Sequence, residues 1–221
     1  MAFFWNTLLP DLTGGFLVTL KILAFAIPIS VIFAILVASA RVYGGKVISF
    51  IAASYVVIFR GLPLIVTLLI IYFGLTRFAI YLSSFWAAVT GFIICSSAYQ
   101  SEYIRGAMRS IEKGQSQAAR SQGMKRLQEL RYIVLPQAYR RALPGISNEI
   151  IYLIKYSSLG FVIGVPEIFA ISKSLNSLYL SPLLIFGTAG VYYLAATTLA
   201  DRFFTWWESR LEVPGLEISG R

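Results

Sequence analysis

Gln117-Ala118-Ala119-Arg120-Ser121-Gln122-Gly123 is followed, after a nine-residue spacer, by Ile133-Val134-Leu135-Pro136. The first piece reads as a short run of helix formers closed by a glycine, which can take the left-handed backbone that ends a helix. Ala118 and Ala119 give that helix a flat face, open to close approach by another protein. Downstream, Leu127, Leu130, Ile133 and Val134 recur at helical spacing, with Arg126, Glu129 and Arg131 elsewhere on the wheel. Pro136 and Pro144 read as punctuation that turns the chain back. The arm, about 110–136, is polar and basic, yet the sequence on both sides is almost uncharged. That contrast sets the fold: an all-α integral membrane domain whose cytoplasmic side carries the arm.

Composition agrees. Of 221 residues, 57% are hydrophobic and only 13% charged, against about 25% charged in a soluble domain. A polytopic membrane protein explains this excess, and 1–221 reads as one domain. The net charge of +9 raises nucleic acid as a partner. Its placement argues against that. From Arg105 to Arg141 there are nine Lys or Arg and two acids, Glu112 and Glu129, which is a positive-inside cluster rather than a nucleic-acid stripe. The chain has no histidine, and its single cysteine, Cys95, lies within an apolar run. No metal site is therefore expected. The first thirteen residues hold no Lys or Arg, so the apolar run after them reads as an uncleaved span rather than a signal peptide.

Five spans are expected: about 16–40, 47–75, 83–105, 143–165 and 174–200. Lys21 snorkels near one end of the first. Arg60-Gly61-Leu62-Pro63 breaks the second near its middle, and Asp201-Arg202 closes the fifth. Arg41 and Lys46 flank the first loop and the basic arm follows the third span, so both should be cytoplasmic. That puts the N-terminus outside and the C-terminus inside. Trp5, Trp86, Trp206 and Trp207 fall near span ends, as interfacial anchors do.

The arm's spacing resembles the cytoplasmic coupling ("EAA") loop of ABC importer permeases, with Gln117 where that loop begins with an acid. Phe59-Arg60-Gly61-Leu62-Pro63-Leu64, Ala98 to Gly106, Leu135-Pro136-Gln137-Ala138 and Ser147-Asn148-Glu149 are similar to segments of the polar amino acid (His/Glu/Gln/Arg-type) permeases. Lys155-Tyr156-Ser157-Ser158 departs at Tyr156, where many relatives carry aspartate. The resemblance implies the type I importer fold, with ATPase coupling through Gln117, Ala118, Ala119, Gly123, Leu135 and Pro136. It also implies two ATP-binding cassette subunits, a second permease subunit (identical or a sister chain), an extracytoplasmic solute-binding protein, and residence in a bacterial inner membrane. The chain lacks a Walker A loop, so ATP and Mg belong to the partner ATPase and no cofactor is expected here.

For substrate contact the candidates are Arg60, Lys155, Ser157, Ser158 and Glu149. Arg60 and Lys155 each lie about a dozen residues into spans running the same way, so both are expected roughly 18 Å from the inner face. A charge at that depth needs a cavity or a partner, and Arg60's fork suits a carboxylate. Glu102 with Arg105, three residues apart, reads as a local ion pair. An opine or another zwitterionic solute is the alternative cargo, and an anion channel with Arg60 as its ring is a more distant one. An enzyme has little support, because no histidine is present to activate Ser157 or Ser158.

Overall fold

The computed structural model describes residues 3–211. Every regular element among them is helical: α1 (Leu9–Tyr43), α2 (Lys46–Gly61), α3 (Leu64–Leu69), α4 (Ser84–Arg109), α5 (Lys113–Ser121), α6 (Arg126–Glu129), α7 (Leu135–Tyr156), α8 (Ile168–Tyr179) and α9 (Pro182–Leu211). A π-helical stretch at Phe4–Leu8 extends α1 backwards. The joint helix of 40 residues is about 60 Å long, twice a hydrocarbon core.

α1 carries a stripe of small residues: Gly15, Thr19, Ala26, Ser30, Ala34 and Ala38 are all buried. Small side chains let helix backbones approach closely, which in lipid replaces the hydrophobic effect as the source of packing. The stripe meets α4, which answers in kind with Ala87, Ala88, Gly91, Cys95, Ser96, Ser97, Ala98 and Ser101. The other face of α1, with Leu20, Phe25, Ile32, Phe33 and Leu36, is exposed and apolar, as a lipid-facing surface must be.

Two clusters fix the ends of the bundle. Leu8, Leu12, Ile168, Leu175, Ile185 and Ala189 gather at one end, where α1 begins, α8 lies and α9 starts. Ala34, Ala38, Ile104, Met108, Leu130, Val134 and Ala138 gather at the other, where α1 and α4 finish and α7 begins. Five helical legs build the bundle: α1 and α9 reach both clusters, and α2 with α3, α4 and α7 pack beside them. α1 and α9 are each long and apolar enough to cross a membrane alone, and each of two bent pairs could form one further span. α4 does not meet that test, although the run from Arg77 to Glu102 is uncharged. Other helices enclose it, so its serines and Gln100 face protein rather than lipid.

Two expectations need correction. Pro136 and Pro144 stop nothing: the chain is helical without interruption over 126–156. Pro136 enters α7 directly behind a π-helical stretch (Leu130–Val134), and Pro144 lies inside the helix. The π-helical turn just ahead of Pro136 has already left the regular i→i−4 ladder, so the missing N–H is absorbed there. The uncharged run 174–200 is not one helix. It breaks at Leu180, which holds a left-handed conformation, and α9 starts at Pro182 and passes through Asp201 and Arg202 to Leu211. Gly187 and Gly190 of α9 have open space where a Cβ would stand. A close approach to neighbouring backbone occurs at Gly15, where a Cβ would meet Glu167 and Ile168 backbone atoms at 3.0 Å.

Candidate functional site

Two regions collect the polar chemistry. The first is the arm at the end where α1 and α4 finish. Helix α5 closes as a Schellman turn: the Gly123 N–H donates to the Arg120 carbonyl at 2.9 Å and the Met124 N–H to the Ala119 carbonyl at 3.1 Å. Gly123 sits at φ +80°, a conformation that costs other L-residues free energy. The two alanines are not equivalent. Ala119 is only 5% exposed and packs against the chain itself, whereas Gln117 and Ala118 point outward. The flat face therefore has one available alanine rather than two. Leu135 is half-buried beside the second cluster, and Pro136 is exposed.

Behind α5 the arm is tied down by an acid that sequence reading treated only as part of the charge pattern. Glu129 is 1% exposed. Its carboxylate accepts from Arg120 Nε at 3.0 Å and from the Tyr43 hydroxyl at 3.3 Å. Arg120's hydrogen bond holds Glu129 below the ordinary carboxylate range, so it is ionised at neutral pH. Burial, and then the neighbouring carboxylate, push Tyr43 up to about 12. On the same side Arg141 donates to the Ser110 carbonyl at 2.7 Å. Glu102 and Arg105 form the local ion pair that their spacing suggested, and Arg41 of α1 joins them through the other carboxylate oxygen.

The second region is a polar seam between α2, α4 and α7, in which Glu149 and Gln100 are buried while Arg60 is exposed at its edge. Pro63 forces Leu62 into an extended conformation, ending α2 at Gly61, and the chain turns by 107° into α3 and the turns after it, Leu64–Phe78. Arg60 thus lies in the last turn of α2. Its carbonyl, freed by the break, accepts from the Tyr99 hydroxyl at 3.2 Å, and its guanidinium lies 5.2 Å from the Tyr99 ring centroid. Glu149, on α7, is buried. The ion pairs among the described residues lie elsewhere. Next to them, Gln100 donates to Ser30 at 3.2 Å and to Ser96 at 2.8 Å, while its carbonyl oxygen has no partner. Tyr55 joins Ser97 at 2.6 Å.

The candidate substrate residues do not all meet there. α4 and α7 pass with Gly145 against the Tyr103 ring. Counting one turn from that crossing places Arg60, at Tyr99, level with Glu149. Lys155 lies six residues further along α7, about 9 Å beyond them. The shared depth expected for Arg60 and Lys155 is therefore corrected. Lys155 is exposed, with its ammonium 4.3 Å from the Tyr152 ring centroid. Ser157 and Ser158 each return their hydroxyl to a carbonyl one turn back, at 2.6 and 2.8 Å. Glu167, absent from the sequence reading, is fully buried but caps α8 through the Phe169 and Ala170 N–H groups and accepts from Tyr193. Its two oxygens are engaged in structure.

The buried Glu149 carboxylate, with the Arg60 guanidinium on its level and the unpaired Gln100 carbonyl oxygen nearby, puts charges of both signs in one region. With an exposed basic arm at one end, this defines a helical membrane transport subunit. The family model described as "binding-protein-dependent transport system inner membrane component" matches residues 26–213. The octopine transport system permease protein OccM of Rhizobium meliloti is 35% identical over 211 residues, covering 91% of this chain and 86% of its own. The glutamine transport system permease protein GlnP of Escherichia coli (strain K12) is 32% identical over 218 residues, covering 96% and 100%. A crystal structure of an amino acid ABC transporter with histidines contains a chain 32% identical, with TM-score 0.82, covering 91% of this chain and 94% of that one. The chain belongs to the binding-protein-dependent inner membrane component family, the permeases of ABC importers.

Proposed function

We propose that this chain is the membrane-spanning subunit of an ATP-driven importer that passes a polar amino acid from an extracytoplasmic solute-binding protein into the cytoplasm. The observation that carries the reading is the arm: a short, outward-facing helix, closed by Gly123, on a basic platform at one end of the bundle. Two cytoplasmic ATPases supply ATP hydrolysis and dock against α5 through Gln117, Ala118 and the exposed edge of the Gly123 turn. A second permease subunit, identical or a sister chain, completes the path. The five legs cross the membrane with the N-terminus outside and the arm end inside, a direction supported by Arg41, Lys46, Arg105 and Arg109 at that end.

In this scheme the substrate carboxylate meets Arg60 and its ammonium meets Glu149. Lys155, Ser157 and Ser158 lie along the continuing path. Closure of the ATPases displaces α5 and rocks the legs between outward-open and inward-open states. The amino-acid cargo is favoured by the glutamine permease and by the solved amino acid transporter. The octopine permease favours a second reading, an opine.

The deciding experiment is uptake by proteoliposomes holding the permease, its ATPase and its binding protein, with labelled glutamine, arginine, histidine and octopine. ATP-dependent accumulation of a proteinogenic amino acid, unaffected by excess octopine, is the expected result. Accumulation of octopine alone selects the second reading, and ATP-independent flux of any of them rejects an importer.

A further inference from the structure

Helix α5 has almost no apolar hold on the bundle. Of its nine residues, Ala119 alone is buried. A helix this short is marginal by itself, so something else must fix where it sits. Its polar hold is Arg120, whose guanidinium is 58% exposed on the side chain but reaches back to the fully enclosed Glu129. Glu129 stands at the end of α6 and is also gripped by Tyr43, the last residue of α1. The same final turns of α1 carry Arg41, which is joined to Glu102 of α4. One carboxylate therefore connects the outward-facing helix to the leg that packs most extensively against α4.

We propose that Glu129 is a positioning residue that fastens α5 to the end of α1, so that a displacement of α5 reaches the bundle through Arg120, Glu129 and Tyr43. The proposal rests on the reading of α5 as the ATPase-docking helix. Gln117 is exposed and makes no side-chain hydrogen bond or ion pair within the described chain, so it offers no such anchor. The link suits force transmission. Its acceptor is shielded from water, which strengthens the charge-assisted bond, and it spans two elements that apolar packing does not join.

Two measurements test it. Hydrogen exchange of the 113–121 amides is followed in the intact permease in nanodiscs, without partners. Glu129→Gln keeps the shape but removes the charge, and is expected to speed exchange there by roughly tenfold or more while α4 stays protected. Tyr43→Phe, which removes one bond and keeps the ring, is expected to show a smaller increase. Glu129→Asp should recover part of the protection. In the complete importer, Glu129→Gln is expected to retain ATPase co-purification while substrate moved per ATP falls severalfold. Unchanged α5 exchange in Glu129→Gln, or unchanged transport per ATP, overturns the proposal. A variant that loses α4 protection as well points to general misfolding and also overturns it. If wild-type permease binds no ATPase, the docking reading fails, but the exchange result still decides whether Glu129 fastens α5.

Discussion

Gly123 offers the sharpest test of the arm. It holds φ +80°, and a Cβ built there would meet nothing within 4 Å. The cost of replacing it is therefore backbone conformation alone, about 1–2 kcal/mol for an ordinary L-residue in the left-handed region. A β-branched residue falls at the upper end. With one buried residue, α5 has little packing with which to absorb that loss, so Gly123→Val should shift the ordered arm by roughly five- to thirtyfold. Gly123→Asn, which visits this region more readily, should cost less. Gly123→Asp adds a negative charge at the helix C-terminus, worth a further ~0.3–1 kcal/mol, and presents it to the docking partner. The assay combines hydrogen exchange at 113–121 with ATPase co-purification and uptake, after membrane insertion is checked. Val should lose protection and partner binding, Asn should keep most of both, and Asp should insert normally but abolish transport. A Val variant as protected as wild type, or an Asn variant as damaged as Val, would refute the Schellman argument.

Three other outcomes are expected. Arg60→Lys keeps the charge but loses the guanidinium fork, so it should weaken uptake by roughly tenfold without affecting insertion; wild-type uptake by Arg60→Gln would remove the carboxylate role. In a Cys95→Ser background, single cysteines replacing Lys46 or Ser121 should escape an impermeant thiol reagent in intact cells, while one replacing Thr7 is labelled. Labelling at Ser121 from outside would reverse the proposed orientation. Gly15→Ala pushes a Cβ to 3.0 Å from the α8 backbone and should cost about 1–3 kcal/mol, seen as a lower Tm of the purified permease. Gly14→Ala, with open space around it, serves as the control and should be neutral or stabilising; equal losses at both positions would discard the close crossing.

Much of this protein was legible without its structure because the signals are local. A glycine after a run of helix formers ends a helix wherever it lies, and Gly123 does so. A proline forces the residue before it to extend, so the break after Arg60-Gly61 was readable from four letters. Glu102 and Arg105 are neighbours on any helix. The density of apolar residues and the placement of the basic ones likewise need only counting, because the cost of charge in lipid depends on composition. The resemblance of the arm and its flanks to importer permeases rested on the same contiguous residues.

What tertiary structure decided depends on the register between helices distant in sequence. Ala118 and Ala119 are adjacent letters, and only the packing of α5 against the arm behind it turns one inward and leaves the other free. Prolines 136 and 144 look like stops, yet the chain stays helical through both, the first directly behind a π-helical turn that absorbs its missing N–H. α4 reads as a span because it is uncharged up to Glu102, but that its buried serines and Gln100 face neighbouring helices rather than lipid is decided only by the close packing of small residues around it. Arg60 and Lys155 were expected at one depth by counting from the inner face, but the crossing at Gly145 and Tyr103 sets the register and separates them. Glu129 shows the same limit: its charge is visible in the sequence, but its partners are nine residues away on α5 and 86 away on α1. Helical periodicity fixes which side of its own helix a residue occupies. Which other helix fills that side, and at what level, is settled by the packing of the whole bundle.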